Sequence, residues 1–284
     1  MSIHAHVSVA RQRLRDAGIT PTESDLDARL LAQHVLGWTT ERFLTDAREP
    51  VPEGFTPQYD ALVARRITRE PFAYIVGVRE FWGLELEVTP DVLIPRPATE
   101  LIVEAMQEQF PDRSVPLSIA DVCTGCGCVA VAIAHERQTT TVRGTDISRP
   151  ALAVATRNAA RHGVGDRVTF THGDLLDGVT GTFDAIVANP PYVNDHAGPA
   201  LQPEVRDHEP PVALFGGVDG LRLVTRLIAG APSRLHSGGY LIFEFGLGQD
   251  VEVEELLSAS PELTLVSLRR DLQGIARTAI ARRA

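Results

Sequence analysis

Leu117-Ser118-Ile119-Ala120-Asp121-Val122-Cys123-Thr124-Gly125-Cys126-Gly127, followed by a helical pattern over Val129–His135, joins a short apolar strand to a helix through a glycine-bearing turn. The same unit repeats outward from it. Helical patterns over Ala151–His162 and Leu221–Ala229 separate strand patterns at Thr141–Asp146, Val168–Phe170, Phe183–Ala188 and Gly239–Phe245. Leu263–Leu268 and Ala276–Ala281 close the chain. Seven apolar strands interleaved with helices predict an α/β, Rossmann-like sheet, mostly parallel and covered on both faces. Ligands of such sheets bind beyond the carboxyl ends of the strands, so the residues that end each strand are the first candidates for a site.

The flanks differ in period. Residues 1–70 read as a small helical bundle: Val7–Ala17 closed by Gly18, then Leu26, Leu30, Leu31 and Val35 at helical spacing, then Thr40–Leu44 and Phe55–Ile67. Ser24 is the expected N-cap of the second helix. Over Phe72–Val88 the pattern alternates, with Tyr74, Val76 and Val78 and then Leu84, Leu86 and Val88, which predicts a β-hairpin linker over residues 71–92. A helix is expected from Thr99 to Phe110, inside an α/β domain spanning 93–284.

Composition narrows the function. The 284 residues are 44% apolar and carry a net charge of -10. An acidic chain argues against direct nucleic-acid binding, which relies on basic surface. No basic leader precedes an apolar run and no stretch is long enough to span a bilayer, so a cytoplasmic protein without membrane contact is expected. All 27 basic residues are arginine, which removes lysine chemistry such as Schiff-base formation. The three cysteines, Cys123, Cys126 and Cys128, are too few for a disulfide framework. No fourth ligand lies nearby in sequence, so no metal site is expected.

Four strand ends carry chemistry. In Asp121–Gly127, glycines let the backbone approach a ligand, although tight strand–helix packing accounts for them about as well. Asp146 ends the second strand, where an acceptor-only carboxylate can hold both hydroxyls of a ribose; alternatively Asp146 or Ser148 caps the next helix. Asp174 follows the third strand and can accept an exocyclic adenine amine while Leu175 packs on the ring, or it is an ordinary turn aspartate. Asn189-Pro190-Pro191-Tyr192 ends the fourth strand. Its prolines lock an extended backbone. The Asn side-chain oxygen and a proline carbonyl can then accept both hydrogens of one NH2 group. Tyr192 can stack on a flat amide or base. His196 and His208 read as loop residues.

At this point the chain resembles the peptide chain release factor glutamine N5-methyltransferases over nearly its whole length. The resemblance rests on Leu26–Leu31 with His34–Gly37, Arg69–Gly77 with Glu80–Leu84, Val92–Pro97 with Thr99-Glu100, the Asn-Pro-Pro-Tyr motif, Glu209–Gly217 with Asp219–Leu221, then Glu244, Gly246 and Gln249, and finally Asp271, Gly274 and Arg277. Cys123 stands where the family usually has glycine, Cys126 where it has a small residue, and Ala98 where it has an acid. The resemblance implies a class I S-adenosyl-L-methionine-dependent methyltransferase. Asp121, Cys123, Thr124, Gly125, Cys126 and Gly127 would border the methionine part of the cofactor. Asp146 would bind its ribose, and Asp174 and Leu175 its adenine. Asn189, Pro190, Pro191 and Tyr192 would clamp the glutamine of the Gly-Gly-Gln motif in class I release factors, and the helical N-terminal domain would dock that partner. The competing expectation is transfer to an amino group of a nucleic-acid base, or to another protein.

Overall fold

A computed structural model describes residues 2–284. The chain forms two compact units. One comprises the N-terminal residues through Gly77 together with Gln202–His208; the other comprises Val78–Leu201 and Glu209–Ala284.

The first unit is helical: α1 (Ile3–Asp16), α2 (Pro21–Leu36), α3 (Thr40–Asp46), α4 (Phe55–Ile67) and α5 (Phe72–Val76). Helix α1 buries Ile3, Val7, Ala10 and Leu14, one stripe at helical spacing. The stripe packs with Ala28 and Leu31 of α2 and Phe55, Tyr59 and Val63 of α4. The cap of α2 is Thr20, not Ser24: the Thr20 hydroxyl accepts from the Glu23 amide and Pro21 takes the first helical turn. Ser24 is buried inside the helix and donates to the Ile19 carbonyl. Residues 72–76 are helical rather than extended. Pro71 starts the turn, Gly77 ends it in the left-handed region, and Ala73, Tyr74 and Ile75 are buried consecutively, which no half-buried strand does. The returning segment carries a short helix, α9 (Pro203–His208), in which Glu204 pairs with both Arg66 and Arg69. Arg66 also meets Asp27 at 2.7 Å.

The second unit opens with the hairpin β1 (Val78–Phe81) and β2 (Leu84–Glu87), so the hairpin is shorter than the alternation suggests. Then come α6 (Glu100–Gln109), β3 (Ser118–Val122), α7 (Cys128–Glu136), β4 (Thr141–Asp146), α8 (Arg149–Arg161), β5 (Val168–His172), β6 (Phe183–Ala188), α10 (Arg222–Gly230), β7 (Leu235–Glu244), α11 (Asp250–Ser258), β8 (Leu263–Arg270) and β9 (Ala276–Arg283). The seven strands lie in the order β5-β4-β3-β6-β7-β9-β8, and only β9 runs against the rest. Alternation along each strand feeds two cores. Ile119, Val187 and Ile242 face one with α6, α7 and the hairpin; Ala120, Ile186, Leu241 and Phe243 face the other with α10 and α11. The chain runs outward from β3 through β4 to β5, then crosses back to start β6 on the other flank of β3. That reversal opens a crevice at the carboxyl ends of β3 and β6.

Candidate active site

The crevice holds a cavity of about 390 Å³, within the range of small-molecule sites. Its walls bring together Asp121, Cys123, Thr124, Gly125, Cys126, Asp146, Asp174, Leu175, Asn189 and Pro191. Gly127, Pro190 and Tyr192 do not line it; they shape the turns that do.

The turn after β3 is held from below by Asp121. This buried carboxylate accepts from the Thr124 hydroxyl at 2.5 Å and from the Ala130 amide at 3.1 Å. Burial, opposed by these two bonds and reinforced by the charge of Asp146, pushes Asp121 up to about 7. The turn itself is left-handed at Cys123, Gly125 and Gly127, with φ of 60°, 55° and 81°. For cysteine this conformation costs roughly 1 kcal/mol. The Cys123 and Cys128 thiols are pushed up, Cys123 chiefly by burial and Cys128 chiefly by its hydrogen bond with Cys126. They are poor nucleophiles there.

Asp146 ends β4, with one oxygen accepting from the Gly125 amide at 2.9 Å and the other from the Ser148 amide at 2.8 Å. The cap of α8 is Ser148, whose hydroxyl accepts from the Ala151 amide, so Asp146 does not serve as that cap. Burial raises its pKa, and the backbone amides of Ser148, Gly125 and Ile147 oppose the rise. Asp174 faces Arg226 of α10 in a two-pronged ion pair at 2.9 and 3.2 Å. Leu175 is left-handed too, with φ of 52°.

The turn after β6 is locked from three distant segments. The Asn189 amide nitrogen donates to Thr99 at 3.1 Å. The Thr99 and Tyr192 hydroxyls donate to opposite oxygens of Glu244, which is 1% exposed. Burial pushes Glu244 up; the two hydroxyls and the charges of Arg277 and Arg96 oppose that. Gln249 donates to the Tyr192 carbonyl and accepts from the Gly246 amide. The stretch Pro210–Gly220 lies against the turn: the Gly216 amide donates to the Val193 carbonyl and the Val193 amide to the Leu214 carbonyl, and a Cβ on Gly216 or Gly220 would fall 2.4 Å from the Pro191 carbonyl oxygen or 2.2 Å from that of Tyr192. Arg96 anchors the start of that stretch through Glu209 at 2.6 Å.

Several of these supports escape a reading of strand ends. Thr99, Gln249 and the glycines of 216–220 follow no strand end, and Glu244, which ends β7, is 52 residues from its partner Tyr192. Arg226 shows no signal beyond a helical spacing. Asn158, fully buried on α8, bonds both the Glu87 backbone and the Cys126 carbonyl, tying the hairpin to the glycine turn. His208 closes α9 and is not a loop residue, whereas His196 lies in a turn outside any helix or strand.

A sheet of this order, with acids closing β4 and following β5 and a proline turn closing β6, is the class I methyltransferase fold. A methyltransferase from Pyrococcus furiosus shares it, with a TM-score of 0.53 at 17% identity, over 78% of this chain and 96% of that one. Residues 7–77 match the PrmC N-terminal domain, and residues 96–205 the methyltransferase small domain. A release factor glutamine methyltransferase of Nitratidesulfovibrio vulgaris is 39% identical over 277 residues, covering 96% of this chain and 92% of its own. One from Coxiella burnetii is 38% identical over 284 residues, covering 100% and 99%. The chain belongs to the release factor glutamine methyltransferase family. No helix among the described residues is long and apolar enough to cross a membrane.

Proposed function

We propose that this protein transfers a methyl group from S-adenosyl-L-methionine to the side-chain amide nitrogen, N5, of the glutamine in the Gly-Gly-Gln motif of class I peptide chain release factors. The observation that carries the reading is a single cavity walled on one side by the glycine turn, Asp146 and Asp174, and on the other by Asn189 and Pro191.

The donor set suits that cofactor. Asp146 ends its strand as a half-buried carboxylate with acceptor capacity left after two backbone amides, the requirement for a ribose diol. Asp174 keeps lone pairs beyond those used by Arg226, enough for an exocyclic amine, and Leu175 offers an apolar wall. When bound, S-adenosyl-L-methionine supplies a methyl group on a cationic sulfur. The protein's own part is orientation. An amide nitrogen is a weak nucleophile because its lone pair is delocalised into the carbonyl. Asn189 Oδ1 and a proline carbonyl, accepting its two hydrogens, hold the nitrogen in line and stabilise the positive charge that develops on it. Tyr192, expected to stack on the amide, lies behind the cavity wall and instead braces the turn through its bond to Glu244. No strong base is needed beforehand, since the nitrogen becomes acidic as it is alkylated. The N-terminal helical unit serves to dock the protein substrate, and the reaction belongs to the cytoplasm, where release factors act.

The test is incubation with S-adenosyl-L-methionine and a matching release factor, followed by mass spectrometry of the Gly-Gly-Gln peptide. One added methyl on the glutamine is expected. Cofactor binding with no methyl there would redirect the reading to another protein or to a nucleic-acid base.

A further inference from the structure

The hydrogen bonds behind Asn189 have a direction, and it is set by a carboxylate. Glu244, buried at the end of β7, accepts from Thr99 at 2.7 Å and from Tyr192 at 2.8 Å. Each carboxylate oxygen is taken by one hydroxyl donor, the arrangement of an acceptor-only group; burial pushes the carboxyl up, and the two hydroxyls, Arg277 and Arg96 oppose that. Thr99 has one proton and gives it to Glu244. What it offers Asn189 is a lone pair, and only the Nδ2 end of the amide can answer that. An asparagine amide is nearly symmetric in shape but opposite in hydrogen-bonding sense at its two ends. With Nδ2 turned to Thr99, Oδ1 is the end left for a ligand.

We infer that Thr99 and Glu244 are positioning residues that fix the polarity of the Asn189 acceptor, and thereby make the site select an NH2 group over an oxygen in the same place. The inference rests on the proposed function for the identity of that NH2 group. Its chemical content is a choice between glutamine and glutamate, which match in size and differ only in one donor group. With the relay intact, a glutamate carboxylate would meet Oδ1 as one acceptor against another and would leave a buried group unpaired, the kind of mismatch that gives strong discrimination. Without it, Asn189 can turn over and present Nδ2, which repels an NH2 group and welcomes a carboxylate.

Thr99→Val removes the hydroxyl and keeps the branch; Thr99→Ser keeps the hydroxyl. Glu244→Gln keeps the outline and supplies a donor that reverses the chain. The probes are two release factors, one natural and one with glutamate in place of the motif glutamine, used as substrate and as competing ligand. For Thr99→Val we expect kcat to fall about 100-fold, as loss of an oriented acceptor does, with cofactor affinity unchanged. The preference for the glutamine form in direct binding should shrink from about 100-fold to below about 3-fold. Glu244→Gln should shrink it likewise, and Thr99→Ser should restore both readouts. A Thr99→Val or Glu244→Gln protein that loses activity while keeping the wild-type preference would overturn the inference and leave Thr99 a packing residue. Failure of Thr99→Ser to restore would do the same. A wild-type protein that binds both forms but methylates neither would sink the functional reading instead, and the binding preference would still decide the polarity.

Discussion

The turn after β3 and the turn after β6 follow paired strands, with Val122 opposite Ala188, yet they are built by opposite means. The first is shaped by dihedral angle. Cys123, Gly125 and Gly127 are left-handed; a Cβ on Gly125 would meet nothing within 4 Å, and only at Gly127, where one would come 3.1 Å from Ala155, does packing add to the angle. The second is shaped by crowding. Its prolines fix φ, and backbone from 216–220 presses so close that a methyl group on Gly216 would overlap a carbonyl of the clamp. A turn made by angle tolerates side chains that can adopt the angle at modest cost, which is how cysteine comes to stand at position 123. A turn made by crowding tolerates none.

The comparison breaks most readily at the clamp. Asn189→Ala should lower kcat about 100- to 1000-fold, the scale for removing one oriented acceptor or donor, while cofactor affinity, read by calorimetry, moves less than about 3-fold. Equal losses in both would mean the clamp also shapes the cofactor side. Next is a matched pair of glycines. Gly216→Ala should cost about 100-fold in kcat by displacing the clamp by a fraction of an ångström to an ångström, and should lower Tm. Gly125→Ala, strained but unobstructed, should cost roughly 1 kcal/mol of stability and little turnover at saturating cofactor. Similar effects from the two would mean that angle and crowding constrain both turns alike.

A smaller effect concerns pH. The Asp121 carboxyl is raised from 3.8 to about 7 by burial, so its contribution to stability is complete below about pH 4 and is lost as pH rises through about 7. Asp121→Asn should therefore gain Tm relative to wild type between pH 4 and 7, with no further gain above. A flat difference across that range would show that Asp121 is not held neutral by its burial. Smallest of all, Cys123→Gly should relieve the left-handed strain and shift stability by no more than about 1 kcal/mol, since the glycine also loosens the unfolded chain. Thermal melts at one pH suffice to measure it.

How much of this was legible in the sequence follows from the kind of signal each part leaves. The parallel strands announce themselves because both faces are buried, and their ends carry the acids and the Asn-Pro-Pro-Tyr turn. Helix α11 left no such mark: Asp250-Val251-Glu252-Val253-Glu254 alternates like a strand, yet only Val253 and Leu257 are buried, one turn apart. Residues 72–76 alternate by coincidence and are closed as a helix by Pro71 and Gly77. In the site, the acids, the glycine turn and Asn189 were visible at strand ends, whereas Thr99 and the 210–226 stretch also line the cavity without following a strand. The bonds that hold the turn were not visible, because Thr99, Glu244 and Gln249 act across 52 to 145 residues of chain. The motifs containing them could be quoted from a family resemblance without revealing what they do.

The reversal of strand order at β3 splits the sheet into a half that precedes β6 and a half that follows, and such halves invite recombination: one could be kept while the other is replaced to change the acceptor. Thr99 forbids the simple version of that exchange. It lies ahead of β3 but completes a hydrogen-bonded chain whose other members, Asn189 and Glu244, lie in the second half. A chimera joined between β5 and β6 inherits a mismatched pair unless the segment around residue 99 travels with the second half. Substitutions at 99, 189 and 244 are therefore expected to be inherited together, as one unit scattered over three places in the chain.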